Sequence, residues 1–280
     1  WFTSLTSWIF YIPLALIGFP ILMFVVVRTF NTLYQFWIHT RAVGKLGFLE
    51  TFLNTASHHR VHHGINPRYI DKNHAGILII WDRLLGTFKE EDEEPVYGTV
   101  KPLGSFNPVW ANVAEFQRLW NISRTTKRWS DKVRIWFAPP EWHPADLGGV
   151  VSVPEITREA QHKYQVTPPL SVSIYTVVSF VGLLLAGTLF IYIAHDLKMP
   201  FQLLYIVHLV MGLATCSALA EGRPWARSLE WFRFAALLAS LPLLPHPYQL
   251  GALLAAVLHA ALFVTLVRGK SLSMHATSPM

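Results

Sequence analysis

Four of the chain's thirteen histidines fall within six consecutive positions, in "HHRVHH": His58, His59, His62 and His63. Imidazole is a proton carrier near neutral pH and, in its neutral form, a ligand for zinc, iron and copper, so ligand type alone leaves the metal open. On a helix, His59, His62 and His63 stand at i, i+3 and i+4, one face within reach of a common centre, and this is metal-ligand spacing. His58 lies one step round, at i, i+4 to His62. A solvated or pH-responsive cluster is the plainer alternative. Thr55 or Ser57 suits the start of such a helix and Gly64 its end.

The elements that must hold this cluster are set by composition. With 52% hydrophobic and 14% charged residues over 280, and the apolar residues in long runs, the expected class is an all-α, polytopic helical membrane protein. The run from Trp8 is interrupted by "GFP" at 18–20; an unbroken helix from Trp8 to Thr40 would reach roughly 50 Å, more than a bilayer needs. A turn at Gly18–Pro20 is therefore expected, with a second leg over about 21–39 that delivers "QFWIH" to the membrane surface and His39 to the edge of water. Residues 1–41 form this membrane hairpin. Residues 42–141, the polar middle, carry the histidine cluster, "DKNHAG" with His74, and "WDR" with Asp82 and Arg83, read as a structural lock. The acidic run "KEEDEEP" at 89–95 reads as a solvated loop. Residues 142–169, rich in Pro and Gly, form a linker. From 170 to 280 follows a C-terminal four-helix membrane bundle, with runs at about 170–194, 201–220, 229–245 and 250–267. The single cysteine, Cys216, lies in such a run and reads as a packing residue. A net charge of +6 fits anionic headgroups or a topology signal, with the basic middle facing the cytoplasm; no zinc-finger spacing or interleaved basic-aromatic motif points to nucleic acid.

Taken in order, "QFWIHT", "HHRVHHG", "DKNHAG" and "LIIWDRLLGTF" resemble the C-terminal half of the catalytic region of the fatty acid hydroxylase and sterol desaturase superfamily, most of all its branch that cleaves glyceryl ethers. The resemblance implies an oxidoreductase of lipid metabolism, a monooxygenase with two irons held in histidine boxes on the cytosolic face, electrons from tetrahydrobiopterin, and O2 and a membrane lipid, an alkylglycerol or related ether lipid, as substrates. It implies His39, His59, His62 and His63 as metal ligands, with His58 and His74 as supporting donors or additional ligands. The membrane would be the endoplasmic reticulum in a eukaryote and the inner membrane in a bacterium. Two alternatives stand beside this: a sterol or fatty acid hydroxylase or desaturase of the same superfamily, and a metal-binding membrane protein without catalysis. One departure is plain. The superfamily's earlier HxxxH and HxxHH boxes have no counterpart, since residues 1–38 contain no histidine, and His143, His162, His195, His208, His246, His259 and His275 are scattered. The expectation is therefore an N-terminally truncated piece of the enzyme, inactive alone.

Overall fold

The computed structural model describes residues 7–158, 163–244 and 246–268; His162 and His275 lie outside them. Among the described residues the architecture is helical, with isolated β-bridges in place of strands. A 3-10 turn, Ser7–Tyr11, leads into α1, Ile12–Leu16. The chain then breaks at the expected turn: Gly18 takes a left-handed φ of 78°, and Pro20, which cannot extend a helix backwards, caps α2, Ile21–Ile38. Tyr11 holds the two legs together, packing its ring against Phe24 and accepting a hydrogen bond from Arg28. At 18 residues α2 is about 27 Å long and apolar enough to cross a membrane.

The polar middle folds into short pieces: a 3-10 turn at Gly47–Thr51, α3 at Ala56–His62, a 3-10 turn at Pro67–Tyr69, α4 at Ile80–Leu85, α5 at Pro108–Thr125 and α6 at Trp129–Arg134. By proximity the chain divides into two compact units, residues 1–102 with 119–162, and 103–118 with 163–280. The first unit has a small apolar core, including Ile38, Ala56, Val61, Tyr69 and Ile79, interleaved with buried Asn54, Asn66, Asn73 and Asp82.

The second unit contains α7, Leu170–Ile193; α8, Met199–Ala220; α9, Ala226–Ser240; and α10, His246–Phe263, continued by a π turn to Arg268. Three of these segments, Leu170–Asp196, Met199–Ala220 and Tyr248–Arg268, are long and apolar enough to span a bilayer. The expected third span, 229–245, is instead the 15-residue α9, which starts earlier and gives way to a 3-10 turn at Leu241–Leu243, where Pro242 lacks the N–H a helix needs. This helix carries the buried pair Glu230 and Arg233, and partners come from every neighbour: Tyr175 of α7 donates to Glu230, Arg233 meets His208 of α8 at 3.2 Å, and His259 of α10 stands 3.8 Å from Glu230. A charged pair inside a bundle is tolerable only when so enclosed. At the α8 end, Glu221 is buried and accepts hydrogen bonds from Ser105, the Phe106 amide and Arg223, so this charge anchors a loop. Elsewhere large apolar side chains such as Leu185, Ile191 and Leu258 point outward, as lipid-facing residues do.

Candidate metal centre

The helix that carries the cluster, α3, has seven residues, about two turns. His59 lies within α3, and His63 at its C-cap is hydrogen-bonded back to the His59 carbonyl, so the i, i+4 side chains lean the same way. The third participant comes from α2. At its C-cap, His39 leaves the helical path (φ −75°, ψ 65°) and turns its ring toward α3, with Nδ1 bonded to the Gln35 carbonyl. The Nε2 atoms of the three rings form a triangle: 2.8 Å between His39 and His59, 3.1 Å between His39 and His63, and 3.1 Å between His59 and His63.

Protons cannot satisfy that triangle. In a neutral imidazole each Nε2 is either donor or acceptor, so of three in mutual contact at least two are of the same kind. Because His39 Nδ1 must donate to a carbonyl, its Nε2 carries a lone pair. A cation satisfies all three at once. Ligands about 2.1 Å from one ion and at right angles are about 3.0 Å apart, so the observed spacing fits three neighbouring ligands of a single metal. Electrostatics agree. Burial, and then the charges of His39, His63 and His62, depress the His59 pKa to about 3, while burial and the charges of His62 and His39 lower that of His63. Both rings are therefore neutral at ordinary pH, the form that ligates.

Of the four expected ligands, three converge. His39, His59 and His63 come together, whereas His62 does not join them: i+3 and i+4 diverge to opposite sides of His59, and His39 stands on the His63 side. The His62 ring stacks at 5.5 Å from that of His59, its Nδ1 3.2 Å from the Lys72 carbonyl. His74 lies beyond it, exposed, rings 5.8 Å apart. His58 is buried on the far side of α3 with its ring edge-on to Phe88.

The acidic run holds this arrangement: it is the largely exposed loop that its composition suggests, but a fastened one. Glu91 accepts from Arg60 Nε and Nη2 at 2.7 and 2.6 Å and from Ser57 at 2.8 Å. The remaining Arg60 nitrogen, Nη1, donates to the carbonyls of Thr40 and Val43, just past His39. One guanidinium therefore ties α3 to the chain leaving α2, which sets the distance from His39 to His59 and His63. The rest of the run is fastened too. The buried Tyr69 hydroxyl accepts from the amides of Asp92 and Glu93, Asn66 binds the Val96 amide and the Glu93 carboxylate, and Asn73 binds the Lys89 amide and carbonyl. Asp82 accepts from the amides of His74 and Ala75 and from Thr87, and Arg83 lies 3.7 Å above the Phe88 ring, so the "WDR" motif is a lock. Beside the triangle opens a cavity of about 330 Å³, lined by the three histidines with Ile38, Arg41 and Tyr97, far larger than an ion needs.

The geometry defines a class: three histidines that could hold a metal ion, gathered at the end of a helix long and apolar enough to cross a membrane. Residues 1–87 match the fatty acid hydroxylase family model. The alkylglycerol monooxygenases of Homo sapiens and Xenopus tropicalis are 39% and 40% identical to this chain over 230 residues, 81% of the chain and 51% of each relative. That of Caenorhabditis elegans is 45% identical over 105 residues, 37% of the chain and 20% of the relative. No solved structure gives a significant match. The chain is thus similar to alkylglycerol monooxygenases and spans about half the length of these relatives.

Proposed function

We propose that this chain carries one ligand face of the iron centre of a membrane monooxygenase that cleaves the ether bond of alkylglycerol lipids. The observation that carries the reading is the Nε2 triangle of His39, His59 and His63, which suits a cation and defeats hydrogen bonding. Its support in kind is the homology to proteins named for that activity. Bound iron, one of two in the resemblance, would supply the activation of dioxygen, with tetrahydrobiopterin as electron donor. The chain's own residues do the rest. His39 presents its Nε2 lone pair because Gln35 takes the Nδ1 proton, His59 and His63 stay neutral through burial, and Arg60 with Glu91 keeps the three in register. His62 and His74 stand ready to orient or extend this set, and His58 supports α3 from behind. The cavity lined by Arg41 and Tyr97 has room for the lipid's polar end, and insertion of oxygen at the carbon beside the ether oxygen gives a hemiacetal that collapses to a fatty aldehyde and the glycerol moiety.

The test is metal analysis combined with an assay for pterin-dependent aldehyde release from alkylglycerol by a protein that contains this segment together with the two upstream boxes. Iron with aldehyde supports the reading. Iron without aldehyde transfers it to a sterol or fatty acyl substrate, and zinc without turnover makes the cluster a non-catalytic metal site.

A further inference from the structure

We infer that the histidine-bearing unit rests in the membrane interface through an apolar patch made by two short elements that flank the metal site. Hydropathy does not mark these elements as membrane segments, because each is too short: the 3-10 turn Gly47–Thr51 and the six-residue α4. They lie side by side. Both spring from one small pairing, in which the Asn54 amide bonds to the Ile77 carbonyl and the Ile79 amide to that of Phe52, and Arg83 of α4 donates to the Glu50 carbonyl at 3.1 Å. From them project Phe48 (78% exposed), Trp81 (60%), Leu84 (73%) and Leu85 (77%), a concentration of large apolar side chains that water-soluble surfaces avoid.

The occupant that fits is the lipid surface, because of where the patch is rooted on α2. The Tyr34 hydroxyl donates to the Asn54 carbonyl at 2.8 Å, and Gly76 lies so close to the Asn31 and Gln35 side chains that a Cβ there would be 2.4 Å from Asn31 Oδ1. Asn31 and Gln35 are seven and three residues from the end of α2 at Ile38, hence about 10 and 5 Å below it. That is the depth, about 5–10 Å into the headgroup and acyl boundary, at which interfacial amphipathic elements settle. The polar stripe of α2 is thus covered by the loop at residue 76, while Phe30, Leu33 and Phe36 stay outward, continuous with a lipid-facing surface. The acidic strap that binds α3 cannot share that environment and marks the aqueous side.

Environment-sensitive labels test the placement. In a Cys216→Ala background, the full 280-residue chain with Phe48→Cys or Leu84→Cys, labelled with a nitrobenzoxadiazole dye, is reconstituted into phosphatidylcholine–phosphatidylglycerol vesicles; both positions are exposed, so the label leaves the core intact. Expected are blue-shifted emission relative to a label at Glu90→Cys, and stronger quenching by lipid spin-labelled near its carbonyl than by lipid labelled mid-chain. Water-like emission overturns the inference, and so does blue-shifted emission without lipid quenching, which would mean a protein surface covers the patch. The inference rests on α2 crossing the bilayer, which a label at Phe30→Cys checks separately by mid-chain quenching.

Discussion

Replacing Glu91 with alanine isolates the step that turns two separate histidine segments into one site. Arg60 and Glu91 are only 13% and 16% exposed, so the substitution strands a guanidinium in a mostly closed setting. Breaking a buried pair by removing one partner costs about 3–5 kcal/mol, and here the lower end applies, about 3 kcal/mol, since Arg60 keeps its bonds to the Thr40 and Val43 carbonyls and some access to water. The metal effect is indirect. A loosened Arg60 no longer sets His39 against His59 and His63, and loss of such orienting contacts typically costs about 10–100-fold in metal affinity. Cobalt(II) titration followed in the visible spectrum, paired with urea unfolding of the apo and loaded protein, reads both quantities. The pH dependence adds a second signature. Burial raises the Glu91 pKa, but the hydrogen bonds from Arg60 and Ser57 and the Arg60 charge outweigh it and hold the carboxyl below its ordinary value. Its contribution to stability is therefore intact above the unfolded value of about 4.3 and lost as pH falls from there through the lower folded pKa. The wild type should show this acid loss and Glu91→Ala should lack that part of it. Unchanged cobalt affinity together with unchanged unfolding would refute the reasoning.

Single alanine substitutions of His39, His59 and His63 should each lower cobalt affinity by at least about 10-fold, and His62→Ala or His74→Ala by less; equal losses at His62 and His63 would show that the triangle is not the ligand set. Asp82→Ala removes the acceptor of two amides and a hydroxyl, and thermal unfolding should register a loss of about 2–3 kcal/mol. In Gly64→Ala the new methyl would fall 2.8 Å from the ring of the fixed, buried Tyr69; a destabilisation of about 1–3 kcal/mol is expected by the same measurement. With three converging nitrogens in one group, the 280-residue chain should bind metal weakly and release no aldehyde from alkylglycerol; turnover after iron reconstitution would overturn that.

Much of this protein is written locally. Apolar runs long enough to cross a bilayer and the "GFP" break that α2 follows are matters of length, hydropathy and proline or glycine chemistry, which act within a few residues. The i, i+4 spacing of His59 and His63 is likewise a property of any helix through those positions. What neighbouring residues cannot encode is which surfaces meet. "KEEDEEP" has the composition of a solvated loop, and nothing in it reveals that Arg60 reaches Glu91 or that the buried side chains of Tyr69, Asn66 and Asn73 bind the backbone of the run and its flank. The pairing of Glu230 and Arg233 with His208 and His259 is equally invisible along the chain, because those groups lie on three different helices. The same limit applies to the metal site. The residues alone bring imidazoles to a membrane helix end and, through the resemblance, offer His39 beside the cluster; packing adds that His39 Nε2, 20 residues before His59, meets those of His59 and His63 while His62 stays outside the triangle, because the direction of a side chain between packed helices depends on the contacts that hold the helices together.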